Sequence, residues 1–516
     1  MGQELNGLLQ EGRGMSVYFS TGYALLLAAI LFAGYRLCII IYRLWYHPLA
    51  KVPGPSLMAI TNLPYQIETT FLGTWHDKAV TLHKTYGPMV RVAPNTVLLD
   101  GSIGWPQVFG HRPKGQAEYQ KYPGFYFKDS ETVLVGSPTH IHRRQRKQIG
   151  PAFSEASMER QEKSVTQFIH LFLQRLSEHS ADNQAVDIVN WLHITTFDII
   201  GDLCFGESFH GLEGDDYHPW VLFILNAFKA EGFRRFCRDY PIMFPVLSLF
   251  AGREMMKKAE DQLEFGRTKA KARMALGAEP ADGRRDLLTY MMQTPKGENK
   301  PMEESVMILN SSSITVAGAE TTAIALSGFF FYMGKDTERL RILAGEIRQA
   351  FKSEDEISIK SAAHLEYLQA TIEETLRIYP PATLTPTRMS PGADVDGIHM
   401  PQGVGVMVSI WATNRNPEHF HEPNSYRPER WLKPSHPRYD DRFANDNRSM
   451  CKVFSHGPRD CIGKNLAYAE MRLIISLVLY RFDFSLAPGQ EDWHTSQTTS
   501  ITWEKRPLKI HLTARQ

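Results

Sequence analysis

The sequence predicts a mixed α/β body in which helices dominate, preceded by a single membrane-spanning helix. Three observations carry that prediction. Tyr23 to Ile41 is a nearly continuous apolar run, broken by Gly34 and Arg36, and it is about long enough to cross a bilayer. Apolar residues recur at helical spacing through most of residues 155–275 and again from Glu304 to Met333. Short β-prone segments bounded by turn residues supply the smaller part. These are Val90 to Val92 and Thr96 to Leu99 around Pro94-Asn95, then Gly397 to Met400 and Val404 to Ser409 around Gly403, read as a small sheet.

The 516 residues are 43% hydrophobic and 22% charged, with a formal net charge of +1. That is ordinary globular material, long enough for a large core. The charge balance argues against a nucleic-acid partner. The five cysteines, Cys38, Cys204, Cys237, Cys451 and Cys461, form neither a CxxC nor a Cys/His zinc spacing. An odd count without a framework speaks against disulfides and suits a reducing compartment.

The apolar run is followed by Arg43 and Lys51, while Glu4, Glu11 and Arg13 precede it. This asymmetry puts residues 1–22 in the lumen, 23–41 in the membrane and the body in the cytosol. A cleavable signal peptide is the competing reading, but it calls for basic residues before the run and small residues after it. Residues 42–55 contain Pro48, Pro53 and Pro55 and read as a stiff extended hinge. Residues 56–516 form the body.

Within the body, residues 105–135 are rich in Gly, Pro and aromatics and read as a long loop. His140 to Lys147 opens a basic helix, ordinarily a solvated face. Asp239 to Gly252 carries Pro241 and Pro245 among large apolar residues; it is either a loop dipping into a membrane or buried core. Gly277 to Arg285 reads as a surface loop, and Arg285-Asp286-Leu287-Leu288 starts a helix.

Glu304 to Met333 could pass for a second span, but Asn310, three serines, Glu320 and two threonines interrupt it. A central buried helix fits better. Gly318 and the threonine hydroxyls predict a local opening in it. Thr321 can donate a hydrogen bond there, and Glu320 can carry protons. Glu374 and Arg377 share a helix face three residues apart.

One thiol stands out. Phe454-Ser455-His456-Gly457-Pro458-Arg459-Asp460-Cys461-Ile462-Gly463 puts Cys461 on a glycine-bounded loop before an apolar helical segment, Leu466 to Leu479. A helix N-terminus favours thiolate. Gly457 and Gly463 allow positive φ or close approach to a flat ligand. Arg459 offers a fork of donors to a carboxylate. A thiolate on haem iron favours O–O cleavage.

Phe454, Gly457, Arg459, Cys461 and Gly463 match the haem-binding signature of the cytochrome P450 family at every fixed position. Ala317-Gly318-Ala319-Glu320-Thr321-Thr322 resembles the family's oxygen-activation motif, and Tyr46 to Pro55 its membrane-proximal hinge, with a His-Pro-Leu lead-in like that of filamentous-fungal members. The resemblance runs from residue 46 to residue 463. It implies the cytochrome P450 fold, mainly α with a small β-rich subdomain, behind an N-terminal transmembrane helix. It implies haem b (iron protoporphyrin IX) with Cys461 as the axial ligand, and His142, Arg146 and Arg388 at the haem propionates. Glu320 and Thr321 become the catalytic pair. Glu374, Arg377 and Arg430 become a buried structural cluster.

The implied activity is a monooxygenase acting on a lipophilic small molecule, such as a terpenoid, polyketide or alkaloid intermediate of fungal secondary metabolism. The implied place is the endoplasmic reticulum membrane. No flavin domain is visible, and the Gly403/Gly405 pair lacks a dinucleotide-site context. Electrons from NADPH would therefore come through a separate cytochrome P450 reductase, with Lys452, Arg459 and Lys464 near its docking face. Two rivals stand beside this reading: a non-redox haem-thiolate isomerase or dehydratase, and a non-catalytic haem-binding membrane protein.

Overall fold

The computed structural model describes residues 23–515, apart from 124–131, 181–183, 215–218, 220–231, 244–252, 280–282, 284, 296, 298 and 299. Helix α1 spans Tyr23–Tyr46, and its most apolar stretch is entirely unburied. Leu25, Leu31 and Phe32 point away from the rest of the protein. Such a face is stable only against lipid or another apolar surface. The helix runs further than expected, because residues 42–46 continue it as a wider turn.

The stretch after α1 is not an extended hinge. Pro48–Lys51 forms a 3₁₀ turn whose Leu49 is fully buried. Arg91 donates from its amide to the Pro53 carbonyl (2.7 Å) and from its guanidinium to the Arg43 carbonyl (2.7 Å). His47 Nε2 lies 2.9 Å from Asn95 Oδ1. Prolines stiffen the chain, but Leu49 and Val52 supply the apolar anchors that dock it.

The main sheet has five strands in the order β1-β2-β8-β5-β3: Met89–Ala93, Thr96–Leu99, Gly405–Val408, Arg388–Met389 and Gln120–Lys121. The predicted hairpin is β1–β2, with a bulge between Arg91 and Ala93. The other predicted sheet divides differently. Ile398–Met400 (β7) pairs with Ala393–Val395 (β6), and β8 joins β2 in parallel. The β6–β7 turn is Asp396-Gly397, both at positive φ (49° and 75°), as a two-residue hairpin with native twist requires. The region read as a loop at 105–135 contains a helical turn at Trp105–Phe109 and the strand β3, which places Lys121 directly opposite Arg388.

The helical layer comprises α2 (Trp75–Tyr86), α3 (Thr139–Ile149), α4 (Glu155–His179), α5 (Ile188–Phe205), α6 (Arg253–Ala275), α7 (Leu287–Met292), α8 (Glu304–Lys335), α9 (Thr337–Ala350), α10 (Glu366–Ile378) and α11 (Lys464–Arg481). Of the expected apolar loop at Asp239 to Gly252, residues 244–252 lie outside the described residues. Helix α8 is long and apolar enough to span a membrane, but 78% of its most apolar window is inside the protein. Several of its polar side chains find partners there. Asn310 Oδ1 accepts from the Leu134 amide (2.9 Å), and the Ser311 and Thr315 hydroxyls donate to carbonyls one turn back. The expected opening at Gly318 does not interrupt α8, which is helical throughout. A Cβ at Gly318 would meet Ile200 of α5 at 3.1 Å, so this glycine serves close helix packing. Remaining strands pair as β4-β12-β9 (Val186–Asp187, Lys509–Ala514, Phe482–Leu486) and β10-β11 (Thr498–Thr499, Trp503–Glu504).

Candidate active site

Cys461 sits just before α11, with Gly463 as the helix N-cap. The loop is closed by the Cys461 amide donating to the Phe454 carbonyl (2.8 Å). Gly457 has φ +78°, and a Cβ there would lie 2.0 Å from the Phe109 carbonyl oxygen. Both arguments for glycine apply to it. Gly463 differs: its φ is −86°, and a Cβ would meet no protein atom within 4 Å. Close approach of a flat ligand is the reason that remains for it. Phe454 packs against Tyr468, with ring centroids 5.1 Å apart.

The Cys461 side chain is solvent-accessible, yet protein mass surrounds it closely enough that burial pushes its thiol pKa up. A group that is both accessible and deep faces an internal space. The Gly463 amide, Arg146 and Lys464 act in the opposite direction and favour the thiolate.

A cluster of basic side chains lies near this loop. His142 is buried on α3, and its pKa is lowered to about 3 by burial, then by Arg459, Arg146, Lys121 and Arg388. Lys121 is pushed well below its ordinary value by burial and by Arg388 and Arg459. Mutual repulsion of this kind is relieved by an anion, and two carboxylates of one ligand suit it. Arg388 is buried with its guanidinium 5.1 Å from the Phe109 ring. Arg459 turns inward, donating to the Ser137 carbonyl (2.9 Å), which removes it from the expected docking face. Arg146 sits in the cluster but is engaged with Asp460, donating to its carbonyl at 2.6 Å and pairing with its carboxylate. Lys121 escaped the sequence reading, because a two-residue strand in a Gly/Pro-rich stretch carries no periodicity.

Across the long buried helix α8 one face is open. Ala317 is exposed and Ser313 and Thr321, four residues to either side, are half-buried, as are the flanking Ser312, Val316 and Gly318, while Ile314, Thr315, Ala319, Glu320 and Thr322 are covered. The Thr321 hydroxyl donates to the Ala317 carbonyl (2.7 Å). Glu320 is 4% exposed. Its Oε2 is 2.9 Å from His193 Nε2, and its Oε1 accepts from Lys505 Nζ at 2.5 Å. Burial would raise this carboxyl, but His193 and Lys505 override it and hold the pKa at about 2. Neither partner was legible in the sequence, lying about 127 and 185 positions away, the latter separation set by the Glu320–Lys505 bond.

Glu374, Arg377 and Arg430 come together fully buried. Arg377 forks onto both Glu374 oxygens (2.8 Å each), and Arg430 Nε donates to Oε1 at 3.1 Å. The Arg427 amide and Trp431 indole also donate to Glu374, and Asp446 pairs with Arg430. The carboxylate therefore welds α10 to the 422–431 segment and touches nothing that could react.

A loop thiol facing an internal space, a dianion cradle beside it and an open hydroxyl-bearing face on the central helix define a haem-thiolate protein. The comparisons agree. The family model described as Cytochrome P450 matches residues 53–512, and the chain belongs to that family. It is similar to cytochrome P450 monooxygenase astJ of Aspergillus oryzae, at 35% identity over 92% of this chain and 93% of that one. It is also similar to trichothecene C-15 hydroxylase of Fusarium sporotrichioides, at 34% over 93% and 96%. Averantin hydroxylase of Dothistroma septosporum is 36% identical over 93% and 90%. The protein is an oxidoreductase, a cytochrome P450 monooxygenase using haem iron and dioxygen.

Proposed function

We propose that the protein inserts one oxygen atom into a lipophilic small molecule of fungal secondary metabolism, with electrons from NADPH delivered by a separate membrane-bound flavoprotein reductase. The observation that carries this is the accessible Ser313–Ala317–Thr321 face midway along a largely buried helix, with an ionised carboxylate beside it. A carrier of haem would not need a hydroxyl and a buried acid there, and an isomerase would not need protons.

The bound haem supplies oxygen activation. Cys461 supplies the thiolate, and the cradle formed by Lys121, His142, Arg388 and Arg459 balances the propionates. Thr321 orients a proton toward the open space, and Glu320 holds the next proton in line. The names of relatives, hydroxylases of a trichothecene and of averantin, support a compact lipophilic substrate. The unburied α1 supports single-pass anchoring in the endoplasmic reticulum membrane, body in the cytosol. Lys452 and Lys464, with Lys433 and Arg448, rim a surface cavity of about 610 Å³ beside the thiolate loop, which suits an acidic reductase face.

The test is oxygen consumption by the membrane-reconstituted protein with and without NADPH and reductase. Dependence on both, with Thr321→Ala diverting electrons to peroxide, is the expected result. Turnover without reductase would overturn it. Cys461→Ala is expected to abolish the thiolate-type spectrum of the reduced carbon monoxide complex.

A further inference from the structure

The accessible face of α8 is closed at its N-terminal end. At about 100° per residue along an α-helix, Ser313, Ala317 and Thr321 fall within one strip about 80° wide. Asn310 falls inside that strip, about 20° from both Ala317 and Thr321, yet it is 1% exposed. The segment 132–134 covers it. The Leu134 amide donates to Asn310 Oδ1 (2.9 Å), and Asn310 Nδ2 donates to Gln145 Oε1 (3.3 Å) and lies 3.4 Å from the Met302 sulfur. Gln145, buried on α3, donates in turn to the Thr132 carbonyl (2.6 Å). Val133 and Leu134 are buried. The Val133 carbonyl accepts from the Gly136 and Ser137 amides (3.2 and 2.9 Å), which turns the chain into α3. Two side-chain amides, each using a donor and an acceptor, thus hold one backbone segment across the strip.

We propose that Asn310 and Gln145 are specificity-determining positioning residues: by pinning residues 132–134 over the N-terminal end of the α8 strip, they close the substrate space there and restrict it to compact molecules. This rests on the reading of the strip as the substrate side. Thr321 follows Ser313 by eight residues, or about 12 Å of helix axis. A fused-ring body fits that length, whereas an extended acyl chain runs into the pinned segment. Asn310 and Gln145 act through the backbone they hold. Both are buried, so cutting one bond leaves an unpaired polar group inside the protein, which makes the stop firm in position.

The test uses the full-length haem-loaded protein and a series of 1-alkylimidazoles, methyl to dodecyl, whose ring nitrogen binds haem iron and whose tail must lie in the substrate space. In wild type, affinity is expected to rise about fourfold per methylene up to a limiting tail length and then to fall. In Asn310→Ala and Gln145→Ala the same rise is expected for short tails, and it is expected to continue past the wild-type limit. Hydrogen exchange locates the cause: the Leu134 amide is expected to exchange about tenfold faster in Asn310→Ala, with amides of α5 unchanged. A limit unmoved in both variants overturns the proposal, and so does a Leu134 amide exchanging at the wild-type rate. General destabilisation would weaken all tails alike and leave the limit in place, which also overturns it. The failure of the underlying reading is separate. Ala317→Phe, midway along the strip, is expected to shorten the limiting tail. If it bound the whole series as wild type does, the strip would not be the substrate side and the proposal would fall with that reading. A shortened limit in Ala317→Phe beside an unmoved one in Asn310→Ala strikes the proposal alone.

Discussion

Glu470 offers the cleanest quantitative test of the packing beneath the active site. It lies on α11, nine residues after Cys461, fully inside the core. Burial raises its pKa from 4.5 to about 8, and a hydrogen bond with Thr322 of α8 opposes the rise only in part. The acid is therefore protonated at neutral pH in the folded protein and ionised in the unfolded one. The sign follows directly. Below pH 4.5 both states hold the proton and Glu470 adds no pH dependence. As pH rises from 4.5 to 8 the unfolded state gains by ionising and the folded state does not, so stability falls. Above about pH 8 both ionise and the loss levels off. Each pH unit in the window costs about 1.4 kcal/mol, so the penalty between pH 5.5 and 8 is about 3 kcal/mol.

Glu470→Gln keeps the shape and a hydrogen-bonding group for Thr322 but cannot ionise. Urea unfolding of the detergent-solubilised protein, followed by tryptophan fluorescence, measures the difference between variant and wild type. That difference cancels every other titrating group. It is expected to widen by about 3 kcal/mol in favour of the variant from pH 5.5 to 8, then to stay flat. Parallel curves across that window would refute a neutral buried carboxyl at the α8–α11 contact.

Glu374→Gln leaves Arg377 and Arg430 buried with most of their compensating charge gone; a loss of about 3–5 kcal/mol in unfolding free energy is expected, and a loss under 1 kcal/mol would refute the weld. Gly457→Ala and Gly463→Ala separate two reasons for glycine. The first forces a methyl against the Phe109 carbonyl at positive φ and is expected to lower polypeptide stability by about 2 kcal/mol or more. The second meets no protein atom and is expected to leave apoprotein stability unchanged while haem retention falls. Lys121→Met removes one of the cations that depress His142; NMR titration of haem-free protein is expected to show the His142 pKa rising, and haem is expected to dissociate faster.

How much of this was legible in the sequence depended on how far apart in the chain the cooperating residues are. The thiolate loop, the Glu374–Arg377 pair and the core helix α8 were readable because each is local: a fixed spacing, one helix face, or a period. The hairpin β1–β2 was readable for the same reason. The second hairpin carries the local signal in its Asp396-Gly397 turn, but Gly403, also at positive φ, supplies a competing turn signal six residues on. What no local pattern could give was the company Glu320 keeps. His193 lies in a helix whose residues are almost all buried and mostly apolar, where a lone histidine reads as core. Lys505 lies near the C-terminus among charged residues, where a lysine reads as surface.

Gly318 and Thr321 show the same limit inside a recognised motif. Both are weak helix residues, and weakness alone argued for an opened helix. The structure keeps α8 closed because each weakness is offset by a partner: Ile200 fills the space left by the missing Cβ, and the Ala317 carbonyl accepts the Thr321 hydroxyl. Closure has a consequence for chemistry. Because the Thr321 proton is already committed to Ala317, the hydroxyl must turn before it can donate toward the open face. Thr321→Ser, which keeps the hydroxyl but frees its rotation, is therefore expected to retain coupling that Thr321→Ala loses. If the two variants released peroxide equally, a donating hydroxyl at this position would not be the group that matters.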